Sequence, residues 1–486
     1  MSRAVQDFFY DRLTQQDHAF LLYENPNAPM HVGSVQLFPA APLRRNGVDG
    51  APGIDLERFE AYVLSRLHRM PRYRQRLAYT PVEGHPIWID DARFNLHYHV
   101  RHARLPRPGD ERLLKRMVGR IFSQHLDRGK PLWEMWLIEG VEGDRVALVS
   151  KVHHCMVDGV SGVDLLRVLL TPAPTNSVTA APRWLPRPAP TATQLARDEA
   201  LRVLHAPIGA AASVLDWLRD EDEARTRLTR RIASFGRVAG GGGALASRTS
   251  LNQPLGPYRR TDWLAMDLRV LRAVAKQLGG TLNDVVLSIT AGGIRRFLKR
   301  TRQEDVRRLD FRALAPVSLR AAAERGKLGN RVSAWIVPLP VDERDPLRRF
   351  ERVRATTAEL KRSHAALAGD TLLQLSEWTG TGLLALGARL MELTVPFNLV
   401  VTNVPGPRDE LYLLGAPLLE SHPLVPLLGN LSSGIALMSY RDTLSWGFTA
   451  DWDTVPDLHA LVLAIEHSCG RLAEAAGVTG VLSNPQ

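Results

Sequence analysis

The sequence predicts a mixed α/β (α+β) protein made of two lobes of similar size and a long connector. Its 486 residues exceed the roughly 100–200 residues of an ordinary domain. Strand-like and helical patterns alternate in the first and the last part of the chain, as in lobes that combine a mixed sheet with helices. Residues 171–190 contain six prolines, the composition of an extended linker. We therefore expect an N-terminal lobe over 1–170, a connector over 171–255 and a C-terminal lobe over 256–486.

The N-terminal lobe alternates both kinds of element. Apolar and β-branched runs predict strands over Val32–Phe38 and Val146–Val152. Apolar residues at helical spacing predict helices over Leu56–Leu67, Glu111–Phe122 and Val160–Leu170.

The connector predicts helices around Gln194–His205 and Ile208–Arg231, followed by the flexible tetraglycine Gly240–Gly243. The stretch Ile208–Leu218 has a broad apolar side. Two interpretations stay open for it, which are ordinary core packing and a helix lying in a membrane interface.

The C-terminal lobe repeats the alternation. Helices are predicted over Val270–Leu278, Asn283–Leu298, Pro346–Leu367 and Asp457–Ala475, and strands over Leu309–Val317, Val332–Leu339, Asn398–Asn403 and Ser432–Ser439. The longest uncharged stretch, Ser421–Tyr440, holds two prolines and two glycines. It predicts turns and strands, since a spanning helix needs about 20 mostly apolar residues.

Composition excludes several classes of protein. Hydrophobic residues make up 45% and charged residues 23% of the chain, which excludes a largely disordered or fibrous protein. The net charge is +11, but only 7 of the 62 basic residues are lysines and no basic block follows the chain. We therefore expect no nucleic-acid partner, while a membrane face or an anionic cofactor is equally compatible with the charge.

Two cysteines, Cys155 and Cys469, cannot form a disulfide framework, and the N-terminus has no apolar signal segment. We expect a cytoplasmic protein without a signal peptide or a transmembrane helix.

The most specific chemical signal is His-His-Cys-Met-Val-Asp-Gly over residues 153–159, between a predicted strand and a predicted helix. Neighbouring side chains of a strand point to opposite faces, so only one of His153 and His154 faces a given cleft. A neutral imidazole suits proton transfer near pH 7, and an ordinary pKa predicts a rate that rises through pH 6–7. Asp158 can orient an imidazole or lock the turn, and Gly159 permits a backbone that a Cβ forbids.

Three interpretations compete for this segment: a metal site, buried structural histidines, and a general base at a strand end. The further ligands of a metal site are missing nearby, so we expect no metal. The fixed spacing of four residue types favours the general base. A nucleophilic Cys155 is the further alternative, and we expect a packed small side chain instead.

Further motifs follow along the chain. They are Asp17-His-Ala-Phe-Leu21, Pro29-Met-His-Val-Gly33, Pro131-Leu-Trp133, Thr281-Leu-Asn-Asp-Val-Val286, Pro316-Val-Ser-Leu-Arg320, Gly329-Asn330 and Thr402-Asn-Val-Pro-Gly-Pro407. In this order, and with the His-His-x-x-x-Asp-Gly segment, they resemble the bacterial wax ester synthase/diacylglycerol acyltransferases. That family belongs to the CoA-dependent acyltransferases with a chloramphenicol-acetyltransferase-like fold. Gln15, Gln16 and Cys155 depart from the family's pattern.

The resemblance implies an O-acyltransferase that moves a long-chain fatty acyl group from acyl-CoA to diacylglycerol, a long-chain alcohol, or both. His154 would be the general base of a direct transfer in a ternary complex. His153, Asp158 and Gly159 would support it, with Asp158 holding the turn by a salt bridge. Acyl-CoA would be a co-substrate, and no cofactor or metal would be bound permanently.

Two interpretations stay open for Asn283, which are a donor to the developing oxyanion and the N-cap of a helix. Ser318, Arg320, Asn403, Pro405 and Trp133 are the candidate substrate-binding residues. Trp133 and the 402–407 motif are interpreted first as architectural, and that motif also as a lining of the acyl or CoA tunnel.

A hydrophobic acceptor such as diacylglycerol or a long-chain alcohol implies an enzyme associated peripherally with a membrane or lipid droplet. The alternatives are a non-catalytic lipid-binding or droplet protein of the same fold, and an acyltransferase for a non-lipid alcohol or a carrier-protein thioester.

Overall fold

The structure is a computed structural model that describes residues 8–45, 53–156, 168–202, 204, 245–318, 332–362 and 395–479, with the backbone alone at 316–318 and 332–334. The predicted elements Ile208–Arg231 and Gly240–Gly243 lie outside the described residues, as does most of Val160–Leu170.

Within the described part, sixteen strands are present. They are β1 (Asp11–Arg12), β2 (His31–Pro39), β3 (Gln75–Tyr79), β4 (Pro86–Asp90), β5 (Val100–Arg104), β6 (Trp133–Val141), β7 (Arg145–His153), β8 (Arg259–Asp267), β9 (Phe311–Ser318), β10 (Val332–Leu339), β11 (Leu399–Val404), β12 (Tyr412–Leu413), β13 (Ala416–Pro417), β14 (Glu420–Leu424), β15 (Ser433–Tyr440) and β16 (Thr443–Asp451).

The described helices are Gln15–Tyr23, Leu56–Arg66, Leu96–His99, Glu111–Ser123, residues 192–202, Leu268–Gln277, Leu282–Arg300, Pro346–Arg362 and Leu458–Ala475. Short 3₁₀ turns cover Ala41–Leu43, Leu67–Arg69, Pro71–Arg74 and His154–Met156. The mixed α/β class is confirmed, and the predicted elements that fall on described residues begin or end within a few residues of these bounds.

The N-terminal sheet has five strands in the order β14–β2–β7–β6–β5, and only the β6–β5 pair is parallel. Alternate residues cover its two faces. Leu137 and Leu148 pack with the Leu56–Arg66 helix on one face, while Val35 and Val149 pack with the Glu111–Ser123 helix on the other. The sheet is therefore buried on both sides.

Strand β14 reaches this sheet from the last part of the chain and pairs with β2. A second junction joins the Glu111–Ser123 helix to β8, where a Cβ on Gly119 would lie 2.7 Å from the Arg259 carbonyl oxygen. Beside it, Lys115 Nζ lies 2.7 Å from Asp262 Oδ1. The two large sheets thus share a strand crossover and a closely packed helix.

The C-terminal sheet has six strands in the order β10–β9–β11–β15–β16–β8, with β11 parallel to both neighbours. Its core contains the Leu282–Arg300 helix, where Val285, Ile289 and Phe297 have no exposed surface. Smaller sheets pair β1 and β3 with β4, and β12 with β13.

Several strands were not predicted from the sequence. Strand β5 lies at a sheet edge and carries charged residues, which is typical of edge strands and hides the apolar pattern. Strand β8 begins with two arginines, and β14 contains Pro423. Charges and proline lower the strand signal of a sequence even where tertiary pairing forms the strand.

Candidate active site

The His-His pair lies where β7 ends. His153 is the last residue of β7 and pairs with His31, the first residue of β2. His154 begins the following 3₁₀ turn, and its backbone N–H donates to the Met30 carbonyl oxygen at 2.8 Å. A Cβ on Gly33 would overlap the Ser150 carbonyl oxygen, so the glycine of the 29–33 motif permits the close approach of the two strands. The strand pair therefore fixes the backbone that carries both histidines.

His154 as a whole residue is partly exposed, while its imidazole is covered by the Phe20 ring, which stacks on it with centroids 3.7 Å apart and planes 15° apart. Its Nδ1 is buried without a hydrogen-bond partner among the described residues. Nδ1 is therefore not accessible from solvent.

Burial lowers the pKa of His154 to about 4, because the protein hydrates the imidazolium form poorly. The ring is then neutral throughout the physiological range. A base with this pKa would give a rate that is constant through pH 6–7, whereas an imidazole with an ordinary pKa would give the expected rise, so the pH dependence stays a prediction to be measured.

His153 points into the protein, and its side chain is 1% exposed. Its Nδ1 accepts a hydrogen bond from the Cys155 backbone N–H at 3.2 Å, and its Nε2 lies 3.5 Å from Glu24 Oε1. His154 is the more exposed residue of the two, but it belongs to the 3₁₀ turn and not to the strand, so the expected alternation of the two side chains stays a prediction.

A cluster of polar side chains surrounds His153. Its centre is the Glu24 carboxylate, which accepts hydrogen bonds from Arg128 Nε at 3.0 Å and Nη2 at 2.7 Å. His31 Nε2 lies 3.7 Å and His125 Nδ1 lies 3.4 Å from Glu24 Oε1. Although burial opposes ionisation, the contacts to His153 and Arg128 hold the pKa of Glu24 well below its usual range.

Cys155 is a buried free cysteine that packs against Leu132 and Trp88. Burial raises the pKa of its thiol well above the usual value. A thiol of this kind is a poor nucleophile, because the thiolate is the reactive form.

The Thr281–Asp284 motif caps the helix that starts at Leu282. Thr281 is the N-cap, its Oγ1 accepting from the Asp284 N–H, while an Asp284 carboxylate oxygen accepts from the Thr281 N–H at 2.7 Å. The interpretation of Asn283 as the N-cap is therefore wrong, because Thr281 occupies that position and forms a full capping box. Asn283 lies in the first turn, half-buried, and its amide takes part in no hydrogen bond between described residues.

Trp133 is fully buried, with its indole N–H donating to the Tyr73 carbonyl oxygen at 2.8 Å and its ring stacked on His99. These contacts agree with its interpretation as a core anchor. Asn403 lies half-buried near the end of β11, and Pro405 is exposed just beyond it.

The structure describes the remaining predicted residues only in part or not at all. Asp158, Gly159 and Arg320 lie outside the described residues, and Ser318 is described by its backbone alone as the last residue of β9. No hydrogen bond joins His154 to Asn283, Asn403 or Pro405 in the part of the chain that the structure describes.

A hollow of about 400 Å³ follows the 402–407 motif and is lined by Arg272, Arg408, Arg441 and Asp442. Arg441 also pairs with Glu410 at 2.9 Å. The lining carries more positive than negative charge, which suits an anionic group such as a phosphate.

The motifs 17–21 and 29–33 contributed to the family resemblance, but no role was predicted for their residues. The structure gives three of them a place in the site, with Phe20 on the His154 ring, Met30 at its backbone and His31 in the cluster. Glu24 lies between the two motifs, and this position was the sequence signal that could have identified it as a site residue. Arg128 carries no such signal.

The described residues contain neither a candidate metal site nor a membrane-spanning helix. No group of three or more histidine, cysteine or acidic side chains there has a geometry that holds a metal ion. Among the helices in this part of the chain, none combines the length and the apolar character needed to cross a membrane.

The chain is similar to known proteins over most of its length. Residues 13–286 match the wax ester synthase/diacylglycerol acyltransferase catalytic domain, and residues 328–473 match the C-terminal domain of the same family. A protein of Mycobacterium tuberculosis strain H37Rv named as a diacylglycerol O-acyltransferase is 32% identical over 431 residues, covering 87% of this chain and 89% of its own. A second protein of that strain with this activity in its name is 32% identical over 488 residues, covering 96% and 91%.

Solved structures are similar as well. The wax ester synthase/diacylglycerol acyltransferase of Marinobacter aquaeolei VT8 aligns with a TM-score of 0.66 and 26% identity, covering 96% of this chain and 100% of that one. The first condensation domain of the calcium-dependent antibiotic synthetase aligns with a TM-score of 0.57 and 18% identity, covering 98% of both chains, and shares the fold. The chain therefore belongs to the wax ester synthase/diacylglycerol acyltransferase family.

Proposed function

We propose that the protein is an O-acyltransferase that moves a long-chain fatty acyl group from acyl-CoA to the hydroxyl of diacylglycerol, a long-chain alcohol, or both. Membership of the family supports the reaction class. The observation that carries the assignment to a residue is the neutral imidazole of His154, a partly exposed residue that directly follows β7.

In this reaction His154 Nε2 accepts the hydroxyl proton while the alcohol oxygen attacks the thioester carbonyl. The tetrahedral oxyanion collapses, the carbon–sulfur bond breaks, and the imidazolium returns the proton to the departing CoA thiolate. Because its pKa is near 4, the base is present in its reactive form at every pH above about 5. The buried, protonated thiol of Cys155 supports direct transfer without an acyl-enzyme.

Asn283 is our candidate for the donor that stabilises the oxyanion. Its amide is half-buried at the start of a helix, and the capping of that helix is carried out by Thr281 and Asp284. An amide that makes no hydrogen bond to a described residue, next to the positive end of the helix dipole, suits a developing negative charge. Asp158 and Gly159 complete the proposal as the residues that hold the turn after His154.

The arginine-lined hollow is our candidate site for the phosphate groups of CoA. It follows Asn403 and Pro405, which we propose line the approach of the acyl-CoA, together with Ser318 and Arg320. The basic net charge also agrees with peripheral association of a cytoplasmic enzyme with an anionic membrane or a lipid droplet.

Release of CoA from palmitoyl-CoA, measured with a panel of diacylglycerols and alcohols, tests this function. We expect turnover with at least one lipid acceptor, and loss of about 10²–10⁴-fold in kcat for His154→Ala, the range of a removed general base. The neighbouring variant Cys155→Ser is the matched control and should stay active.

Three results would count against the proposal. Wild-type turnover by His154→Ala would remove the base, and an acyl-cysteine found by mass spectrometry would replace direct transfer by a covalent route. Binding of lipids without any CoA release would favour the alternative of a lipid-binding protein, and activity confined to non-lipid alcohols or carrier-protein thioesters would move the substrate class.

A further inference from the structure

A buried carboxylate lies behind the His153–His154 turn and takes part in none of the steps described above. The Glu24 side chain is 7% exposed, and it stands just after the Gln15–Tyr23 helix that also carries Phe20. Its carboxylate is held by Arg128, whose guanidinium donates two hydrogen bonds to the same oxygen, Oε2. The other oxygen, Oε1, faces the strand ends.

From Oε1, one chain of hydrogen bonds leads through Met30 to the His154 N–H, which belongs to the peptide before the His154 side chain. The Met30 N–H donates to Glu24 Oε1 at 3.3 Å, and the Met30 carbonyl oxygen accepts the His154 N–H at 2.8 Å. Glu24 therefore acts on the His154 peptide through a single intervening residue.

A second path leads from Oε1 through the His153 ring to the Cys155 N–H, which belongs to the peptide after the His154 side chain. His153 Nδ1 accepts the Cys155 N–H at 3.2 Å, so in the neutral ring the proton is on Nε2. That nitrogen lies 3.5 Å from Glu24 Oε1, which favours this tautomer. Nε2 makes no hydrogen bond to a described residue, so this second path consists of one hydrogen bond and an electrostatic contact at 3.5 Å. Both paths start at one oxygen atom and end at consecutive peptide N–H groups.

We propose that Glu24 is a positioning residue for acyl transfer, because it fixes the peptides on both sides of His154 and thereby the direction of the imidazole. The inference rests on the proposed role of His154 as the base. A displacement of a catalytic group by about 1 Å can cost about 10²-fold in rate, so a residue that holds both flanking peptides affects kcat strongly.

The carboxylate is ionised in this role. Four basic side chains face it from the surrounding elements, which are Arg128, His31, His125 and His153. An unpaired buried carboxylate would be costly, whereas one with a guanidinium and several N–H donors is stable.

The chain offers a matched control for substitution of Glu24. Glu139 is 8% exposed and contacts an arginine, a histidine and a backbone N–H, namely Arg104 at 2.6 Å, His102, and Ile54 at 3.2 Å. It belongs to β6 and to the same sheet, but no contact links it to the His153–His154 turn. Glu139→Gln therefore removes a similar buried charge without loosening that turn.

The test compares Glu24→Ala, Glu24→Gln and Glu139→Gln, each in the full chain and each shown to be folded by thermal melting. We expect Glu24→Ala to lower kcat by about 10²-fold with an unchanged KM for palmitoyl-CoA and for the acceptor. Glu24→Gln retains an acceptor for the Met30 N–H and should recover part of the loss. Glu139→Gln should keep the kcat of the wild type even if its melting temperature falls.

Hydrogen exchange gives a readout that does not depend on activity. In Glu24→Ala, the amides of His154 and Cys155 should exchange faster, while Glu139→Gln should leave them protected. In the His153→Ala background, Glu24→Ala should lower kcat further but by a smaller factor than in the wild type, since only the chain through Met30 is then left to lose.

Unchanged exchange of the two amides, or unchanged kcat in Glu24→Ala, would overturn the proposal. A rise in KM with kcat intact would do the same, because it would give Glu24 a binding task. If the wild type releases no CoA with any acceptor, the proposed function fails, and the exchange measurement alone then decides whether Glu24 fixes the turn.

Discussion

The two motif regions of the molecule, the strand end at His153–His154 and the helix start at Thr281–Asp284, treat their polar groups in opposite ways. At the helix start, Thr281 and Asp284 satisfy one another, and Asp284 also accepts the Thr357 hydroxyl at 2.6 Å. At the strand end, ring nitrogens of His31, His153 and His154 are buried without a hydrogen bond between described residues.

The difference separates architecture from chemistry. Buried polar groups are usually paired, so a fully paired motif is explained by the element that it starts. A neutral, desolvated imidazole with an unpaired nitrogen is costly for stability and needs another reason, which proton transfer supplies. Asn283 is the exception inside the paired motif, and this isolation makes it the functional candidate there.

The largest effect that tests this difference between the two regions is expected from two variants of the Thr281–Asp284 motif. Asn283→Ala should lower kcat by about 10²–10³-fold, the range of a lost oxyanion donor, with little change in melting temperature. Thr281→Ala should do the reverse, lowering the free energy of unfolding by about 1 kcal/mol while kcat is kept.

Steady-state CoA release and thermal melting of both variants measure these effects. Equal loss of stability with intact kcat in both variants would make Asn283 a structural residue like its neighbours.

The second effect concerns the Phe20 ring on His154. Phe20→Ala admits water to the imidazole, so its pKa should rise from about 4 toward the ordinary value near 6.5. A higher pKa leaves more imidazolium at pH 5–6, so the rate should fall at a higher pH than in the wild type. The pH dependence of kcat/KM measures this shift.

Phe94→Ala is the control, because Phe94 stacks on another histidine, His99, with centroids 5.3 Å apart. The acid limb of the kcat/KM–pH profile of Phe94→Ala should match that of the wild type. An unmoved limb in Phe20→Ala would show that this ring does not determine the hydration of His154.

The smallest effect is expected away from both motifs. Arg272→Gln and Arg408→Gln should raise the KM for acyl-CoA several-fold and leave kcat unchanged, since each removes one charge from the hollow. Arg307→Gln, which removes an exposed, paired arginine elsewhere, is the control. Equal KM values in all three variants would exclude the hollow as a phosphate site.

The sequence was sufficient for the α/β class and for the elements with uninterrupted apolar runs, such as β2, β7 and the Leu282–Arg300 helix. It was not sufficient for β14, because a strand that contains Pro423 and completes a distant sheet depends on tertiary pairing.

For the site, the strand position of the histidines predicted that only one of them would face a given cleft, and the resemblance to the family indicated His154. The lowered pKa of His154 could not be predicted, because it depends on burial of the ring in the folded protein. The role of Glu24 was also hidden, since it arises from the register that brings Met30 and His31 against His153 and His154.

The most direct test of the account is the single-turnover rate of acyl transfer by the wild type and by His154→Gln, measured from pH 4.5 to 8.5. We expect a wild-type rate that is constant from pH 6 to 8 and falls only toward the pKa near 4. His154→Gln should be slower by about 10²–10⁴-fold at pH 7 and lack this acid limb. Equal rates for the two proteins at pH 7 would contradict the assignment of His154 as the base.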